Sequence, residues 1–210
     1  MRLKEFSVAS VSSSAISSSD PKPLEPEIIM GDLSNLTPQE KRRRIRQHAQ
    51  EKLSQVRGNQ VCSCHAMADI WGYATRFYEG WNNDEESYVE DVAFILAGIN
   101  EWCIGVPDRN RVGAREFSDS GFKAEFRDGS NQVQHFSAGV MAGFQYGYWG
   151  GLLHRIVRPD TPEDTALNDQ SCAMGAGLDG IGVSLDEVKW KIEKHVCEKA
   201  CGICNGGRGR

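Results

Sequence analysis

Residues 131–153 read NQVQHFSAGVMAGFQYGYWGGLL, and this stretch decides the fold. The 18 residues from position 136 onward carry no formal charge. Four glycines recur within them at spacings of four, four and three: Gly139, Gly143, Gly147 and Gly150. Each interior glycine costs a helix roughly 0.5–1 kcal/mol relative to alanine, so four on one face cost about 2–4 kcal/mol. We therefore expect a helix over about 131–157 whose glycine face lets another helix or a ligand approach closely.

A membrane-spanning helix is the main alternative for this stretch. Its length is near the lower limit of about 17–25 residues for a span, and GxxxG is a packing pattern of membrane helices. Gln145 and the many glycines lower its hydropathy, and the sequence has no second stretch of this kind. The pattern therefore favours a buried central helix over a membrane span.

Helical signals also occur on both sides of this stretch. The TPQE sequence at 37–40 is a capping box with proline at the first helical position. Two more capping sequences begin at Thr161 and Ser184, and apolar residues recur at helical spacing between them and the first box. Residues 121–128 alternate enough to predict a short strand or extended arm. The predicted helices cover about 38–56, 64–81, 85–103, 131–157, 162–177 and 185–200.

These elements predict a mainly α fold, a compact bundle of about five to six helices around the central glycine-rich helix. Apolar residues make up 40% of the 210-residue chain and charged residues 25%, which is ordinary globular usage. The helical domain is predicted at 36–204. A Ser/Pro-rich leader at 1–35 is predicted to be disordered, and a Gly/Arg tail at 205–210 to be flexible.

Charge and the N-terminal sequence bear on partners and compartment. The formal net charge of -5 argues against a uniformly basic nucleic-acid binder, and the basic run at 41–46 is more typical of a solvated helix face than of a docking surface. The leader has no apolar region of a secretory signal. We expect synthesis in the cytoplasm, with export through a secretion machine or binding to a protein partner as open alternatives.

A polar cluster marks the start of the central helix. His135 lies in its second turn, with Asn131 one turn earlier and Asp128 just before the helix. At a helix N-terminus, backbone N–H groups and a histidine can bind an anion or move a proton. The alternative is a capped helix start with a structural, hydrogen-bonded histidine.

The following helix offers partners for this histidine. Asp164 and Asn168 are four residues apart and share a face. The short predicted connection indicates an antiparallel hairpin, which would place His135 near 174–178 and away from Asp164. The acidic residues would then pair with Arg155 and Arg158.

The run Asn131-Gln132-x-x-His135-Phe136, the glycine-rich helix after it, Asp164-x-x-Leu167-Asn168 and Gly175 resemble a pattern in uncharacterised bacterial helical domains. Some of those domains belong to secreted or toxin-like proteins. The resemblance covers about residues 120–180. It departs at Gln134, where those domains often have arginine, and Asp160 or Glu163 only approximates their intervening acidic residue. The resemblance implies that His135, Asp164 and Asn168 belong to one site, and it implies no reaction.

Seven cysteines leave several arrangements open. An odd number cannot pair completely within one chain. One arrangement is a tetrahedral zinc site at the C-terminal end of the domain. Others are free thiols, a redox pair, or a disulfide from Cys62 or Cys64 to the C-terminal cysteines; Cys172 is predicted to be core. The candidate zinc ligands are His195, Cys197, Cys201 and Cys204.

Together these features predict a small hydrolase-like enzyme or exported effector. His135 would be its general base or anion contact, and the residues orienting it or the substrate would be Asp128, Asn131, Asp164 and Asn168. The alternative is a non-enzymatic helical adaptor or assembly component, stabilised by zinc or disulfides. The sequence contains no phosphate-binding loop, dinucleotide fingerprint, HExxH or GxSxG motif.

Overall fold

The computed structural model describes the chain at residues 33, 36–78, 84–99, 111–112, 117–129, 132–147, 149, 161–179 and 183–200. The predicted leader, apart from residue 33, and the predicted tail lie outside the described residues. So do three candidate site residues: Asn131, Cys201 and Cys204.

Six α-helices make up most of the described structure, which confirms the predicted mainly α bundle. They are Pro38–Arg57 (α1), Ser63–Thr75 (α2), Glu85–Ala97 (α3), Gln132–Tyr146 (α4), Pro162–Asp179 (α5) and Val188–His195 (α6). In place of the strand predicted over 121–128, Phe122 forms an isolated antiparallel bridge with Cys197, and a 3-10 turn follows at Ala124–Phe126.

Helix ends follow local chemistry where a cap or a left-handed glycine is present. The Thr37 hydroxyl accepts a hydrogen bond from the backbone N–H of Glu40, as the predicted capping box requires. Helix α3 ends earlier than predicted, because Gly98 adopts a left-handed conformation with φ 71° and its N–H bonds back to Ala93 and Phe94 carbonyls. Helix α6 ends at His195 instead of near Ala200, since Cys197 pairs with Phe122.

The central helix α4 is shorter than predicted. It ends at Tyr146, and Gly147 takes the left-handed conformation with φ 60°. Among the described residues, a Cβ at Gly147 would meet nothing within 4 Å, and the left-handed conformation makes this glycine the end of the helix. None of the helices within the described ranges is long and apolar enough to cross a membrane.

Helices α4 and α5 run parallel, so the predicted antiparallel hairpin is wrong. His135 faces Asp164 near both helix starts, whereas Gly143 faces Cys172 about two turns further along both. The early end of α4 explains this, since residues 147–161 then separate the two helices. Fifteen residues can span roughly 50 Å, which is ample to return along a helix about 22 Å long.

The glycine face of α4 brings the two backbones into direct contact. A Cβ at Gly143 would lie 2.1 Å from the carbonyl oxygen of Cys172, and one at Gly139 would lie 1.9 Å from the Ser171 hydroxyl oxygen. In return, a Cβ at Gly175 of α5 would lie 2.0 Å from the Val140 carbonyl oxygen. The prediction of close approach is confirmed for Gly139 and Gly143. No described residue approaches Gly147 in this way, and Gly150 lies outside the described residues.

Helix α2 lies at the centre of the remaining packing, in contact with α1, α3, α4 and α6. Its Trp71 ring packs edge to face against Tyr88 of α3 and Phe136 of α4. The Tyr88 hydroxyl donates to the Trp71 carbonyl at 2.9 Å, so this buried polar group is satisfied. The result is one core shared by all six helices, with α4 fixed between α3 and α5.

The basic run of α1 is engaged by acidic residues of the same domain. Asp91, buried on α3, accepts hydrogen bonds from the Arg42 guanidinium and the Tyr78 hydroxyl. Burial raises the pKa of Asp91, although these two hydrogen bonds oppose the rise. Arg43 and Arg44 both pair with Glu40 on the surface. These contacts favour a structural interpretation of this run over a docking surface.

A disulfide joins Cys64 at the start of α2 to Cys197 just after α6, with Cα atoms 5.5 Å apart. Backbone hydrogen bonds from Lys123 to Val196 and from Glu198 to Gly121 flank it. The bridge confirms the alternative in which Cys64 pairs with the C-terminal cysteines. Cys172 is buried, as predicted.

Alanine at Gly143 should destabilise the fold by about 3 kcal/mol, measured by urea denaturation. The added methyl would overlap backbone atoms of Cys172, which cannot rotate away, and this outweighs the roughly 1 kcal/mol gain in helix propensity. Gly58→Ala is the matched control, because its Cβ would lie 3.4 Å from the nearest atom and φ there is -79°. Equal stability of the two variants would contradict the close approach.

Loss of the disulfide should lower the free energy of unfolding by about 3–5 kcal/mol. The two cysteines are 133 residues apart, and the entropy of an unfolded chain rises steeply when so long a loop opens. The measurement is a urea titration with and without dithiothreitol, beside the variant carrying Cys64→Ala and Cys197→Ala. Dithiothreitol should act on the natural chain and not on the variant; an unchanged midpoint for the natural chain refutes the bridge.

Candidate acid–base site at two helix starts

The parallel packing of α4 and α5 places the starts of both helices side by side. His135 Nδ1 lies 3.8 Å from Asp164 Oδ1, an ion-pair distance somewhat longer than a hydrogen bond. The side chains are 25% and 10% exposed, so the pair lies at the edge of the core with access to solvent. The prediction that His135 lies away from Asp164 is therefore wrong.

Asp128 joins this pair from the segment before α4. Its carboxylate accepts hydrogen bonds from the Gln132 side-chain amide and, at 3.3 Å, from the Thr161 hydroxyl. The Thr161 hydroxyl also accepts from the backbone N–H of Asp164 at 3.1 Å, which confirms Thr161 as the cap of α5. One hydroxyl therefore connects the cap of α5 to the carboxylate that precedes α4.

The carboxyl groups of Asp128 and Asp164 are close enough to interact. Burial alone would raise the pKa of Asp128, but hydrogen bonds from Gln132 and Asp164, the charge of His135 and the Thr161 hydroxyl together lower it below its usual range. These contacts favour the negatively charged form of Asp128. The positive ends of two helix dipoles lie at this cluster and favour that charge.

The other catalytic candidates differ in how far they join the cluster. Asn168 is buried one turn beyond Asp164, between the two helices, where its carbonyl accepts from the Ser171 hydroxyl at 3.0 Å. Asn131 lies outside the described residues. Thus His135, Asp128 and Asp164 come together, and Asn168 lies deeper along the same interface.

Two members of the site, Gln132 and Thr161, are not among the catalytic residues that the sequence predicts. Gln132 is fully buried, and its Oε1 has no hydrogen-bond partner among the described residues. The sequence offers one signal for Gln132: its polar side-chain amide stands at the first position of a helix that is otherwise mostly apolar, where a buried amide needs a partner. The sequence predicts Thr161 only as a helix cap, because its second contact, with Asp128, depends on the parallel arrangement of the helices.

No family model matches this chain, and no curated protein or solved structure matches it either. The resemblance of residues 120–180 to uncharacterised bacterial helical domains therefore stays a prediction.

The predicted zinc site meets a chemical obstacle at one of its ligands. Cys197 forms the disulfide with Cys64, and a disulfide sulfur is not the thiolate that zinc binds. His195 is exposed at the end of α6, and Cys201 and Cys204 lie outside the described residues. Within the described ranges, no group of three or more His, Cys, Asp or Glu side chains is arranged to hold a metal ion.

A cysteine–histidine pair lies beside the disulfide. Cys62 Sγ is 2.8 Å from His65 Nδ1, and the thiol is fully buried. Gly121, with φ 76°, covers it so closely that a Cβ there would lie 2.2 Å from the sulfur. Burial removes this thiol from contact with substrates, so the pair is better suited to fixing the start of α2 than to nucleophilic catalysis.

Asp69 of α2 forms a second charged cluster, which the sequence did not reveal. It accepts from His48 and Lys52 of α1 and from Lys189 of α6, each at 2.9 Å. The His48 hydrogen bond is the largest cause that lowers the pKa of Asp69; burial opposes it, and both lysines add to the lowering. The Asp69 carboxylate of α2 therefore connects this helix to both α1 and α6.

Asp69→Asn should lower the free energy of unfolding by about 2 kcal/mol at pH 7. The variant should also lose less of this free energy than the natural chain does when the pH is lowered into the acidic range. The lowered pKa means that the carboxylate stabilises the fold above its unfolded pKa of about 3.9 and loses this effect as the pH falls towards the folded value. Urea denaturation at pH 7, 4 and 3 measures this. The exposed Asp186→Asn is the control, and identical pH dependence in both variants refutes the role of Asp69.

Proposed function

We propose that this domain is a hydrolase in which His135 acts as general base and Asp164 and Asp128 support it. The observation that carries the proposal is the convergence of His135 and Asp164 at one end of the parallel pair α4 and α5. An imidazole beside a carboxyl group, at the edge of the core and open to solvent, is a common arrangement for proton transfer near neutral pH.

His135, Asp164 and Asp128 lie next to one another in that order, so the carboxyl groups can stabilise a positive charge that forms on the His135 ring. Nδ1 of His135 faces Asp164, so Nε2 lies on the opposite edge of the ring. When Nε2 takes a proton from water, the imidazolium that forms lies beside Asp164, which is hydrogen-bonded to the ionised Asp128. The Asp128 carboxylate is fixed in place by hydrogen bonds from Gln132 and Thr161. Its negative charge therefore stabilises the imidazolium without any rearrangement of the site.

The geometry restricts the substrate class. Asp128 and Asp164 are hydrogen-bonded to each other, whereas the two carboxyl groups of glycosidases stand about 5–9.5 Å apart. The ionised Asp128 also opposes a phosphate group in the same place. A neutral ester or amide fits best: water attacks the acyl carbon, His135 takes the proton, and the leaving oxygen or nitrogen receives it as its bond to carbon breaks.

The test is hydrolysis of p-nitrophenyl acetate and an anilide, with p-nitrophenyl phosphate and a p-nitrophenyl glycoside as comparators. His135→Gln should lower kcat/KM at least about 100-fold, and Asp164→Asn should lower it less. Glu163→Gln, a neighbour of Asp164 outside the cluster, is the matched control and should retain activity. Melting temperatures should stay close to that of the natural chain.

Two results would overturn the proposal: hydrolysis that survives His135→Gln, or a natural chain that cleaves none of the neutral substrates. A large loss of stability in His135→Gln would instead favour a structural histidine.

A non-enzymatic helical adaptor is the second candidate, and exposed aromatic side chains favour it. Tyr146, Trp149 and Trp190 are 45%, 69% and 52% exposed. Aromatic residues are enriched at protein interfaces, where their large area is buried on binding. A stable homo-oligomer in light scattering, together with no hydrolysis of the neutral substrates, would favour this candidate.

The disulfide supports export as part of the proposal. Both of its cysteines are buried, and buried structural disulfides persist mainly in oxidising surroundings such as the cell exterior.

A further inference from the structure

A cavity of about 170 Å³ lies between α4, α5 and α6. Its inner wall is apolar, since Phe136, Met174 and Val196 line it and are all buried. Two polar side chains without a fixed charge, Gln170 and His195, also line it. None of the lining residues belongs to the His135 cluster.

The volume sets the size of an occupant. A cavity of about 150 Å³ with apolar walls holds a benzene molecule, so one six-membered ring fills this cavity. The Phe136 ring and the Met174 thioether both make favourable contacts with an aromatic ring. The wall is therefore better suited to an aromatic ring than to an aliphatic chain of the same size.

Three lysines surround the end of α6, and each is engaged by another group of the protein. Lys123 Nζ donates to two backbone carbonyls at the end of the helix, at 3.0 and 2.8 Å. Lys191 Nζ lies 3.8 Å from a carboxylate oxygen of Glu187, and Lys194 Nζ lies 4.4 Å from the centre of the Trp190 ring. An anion entering the cavity would compete with these contacts, so the surroundings favour an uncharged occupant.

His195 supplies a hydrogen-bond acceptor to the cavity. Burial is the largest cause that lowers the pKa of His195, and the charges of Lys194, Lys123 and Lys191 lower it further. Because the ordinary histidine pKa is about 6.5, the ring is neutral at about pH 7.5. A neutral imidazole has one ring nitrogen that accepts a hydrogen bond. An aromatic occupant that carries an O–H group can donate to it.

From this combination we infer that the cavity binds small neutral phenols. The phenol ring lies against Phe136, Met174 and Val196, and its hydroxyl donates to the His195 imidazole. The site is independent of the proposed hydrolysis, because it shares no residue with the His135 cluster and its occupancy is measured without any reaction.

Titration of the full chain with phenol at about pH 7.5, followed by the NMR signal of the Met174 methyl group, tests the inference. Phenol should shift this signal with a dissociation constant on the order of 1 mM. Toluene, which has the ring without the hydroxyl, should shift the same signal and reports on the apolar wall alone. Benzoate, whose carboxylate has no proton to donate at this pH, should bind at least about 10-fold more weakly than phenol.

Three variants locate the ligand. His195→Phe keeps a ring at this position but removes the acceptor, so it should weaken phenol about 5- to 10-fold and leave toluene unchanged. Ala173→Phe, at an exposed position of the lining, should block both ligands while the melting temperature stays close to that of the natural chain. Lys199→Gln, at an exposed lysine outside the lining, should change neither.

Four results would overturn the inference. One is a Met174 signal that does not move with about 10 mM phenol, which would show that no ring enters the cavity. A second is benzoate that binds as well as phenol, which would show selection by charge. A third is His195→Phe that weakens phenol no more than toluene, since the hydroxyl would then not donate to His195. The fourth is unimpaired phenol binding in Ala173→Phe, which would place the ligand elsewhere on the molecule.

Discussion

The structure depends on the direct backbone contact between α4 and α5. At Gly143 the two chains are so close that a single methyl group would overlap the Cys172 carbonyl, and at Gly175 the same holds for Val140. Close packing of this kind gains dispersion energy over a long interface and offsets the entropic cost of glycine inside a helix. It also fixes the axial register of the two helices, since a shift of one residue would bring a side chain into the contact.

The candidate site follows from that register and from the parallel direction of the helices. In an antiparallel pair, His135 and Asp164 would lie at opposite ends, and Thr161 could not reach Asp128. In the parallel pair, both helix starts and their positive dipole ends meet, and an ionised Asp128 is stabilised between them. The chemistry proposed for His135 therefore depends on the glycines one and two turns further along its own helix.

A few aromatic, charged and covalent contacts connect the other helices to the α4–α5 pair. Trp71 carries the aromatic contacts from α2 to α3 and α4. Asp69 joins α2 to α1 and α6 through His48, Lys52 and Lys189, and the Cys64–Cys197 disulfide joins α2 to the chain after α6. These contacts position α6 over α4 and α5, which forms the cavity lined by Phe136 and His195.

The sequence by itself determined what local chemistry controls: the helical class, the cap at Thr37, the start of α5 at Pro162, and the close approach at Gly139 and Gly143. It also identified His135, Asp128 and Asp164 as polar residues at helix starts. Tertiary structure decided which of these meet. The direction of α5 depends on whether Gly147 packs or ends the helix, and both are ordinary roles for glycine. Contacts such as Asp69 with Lys189, 120 residues apart, follow from packing of the whole domain and leave no local pattern in the sequence.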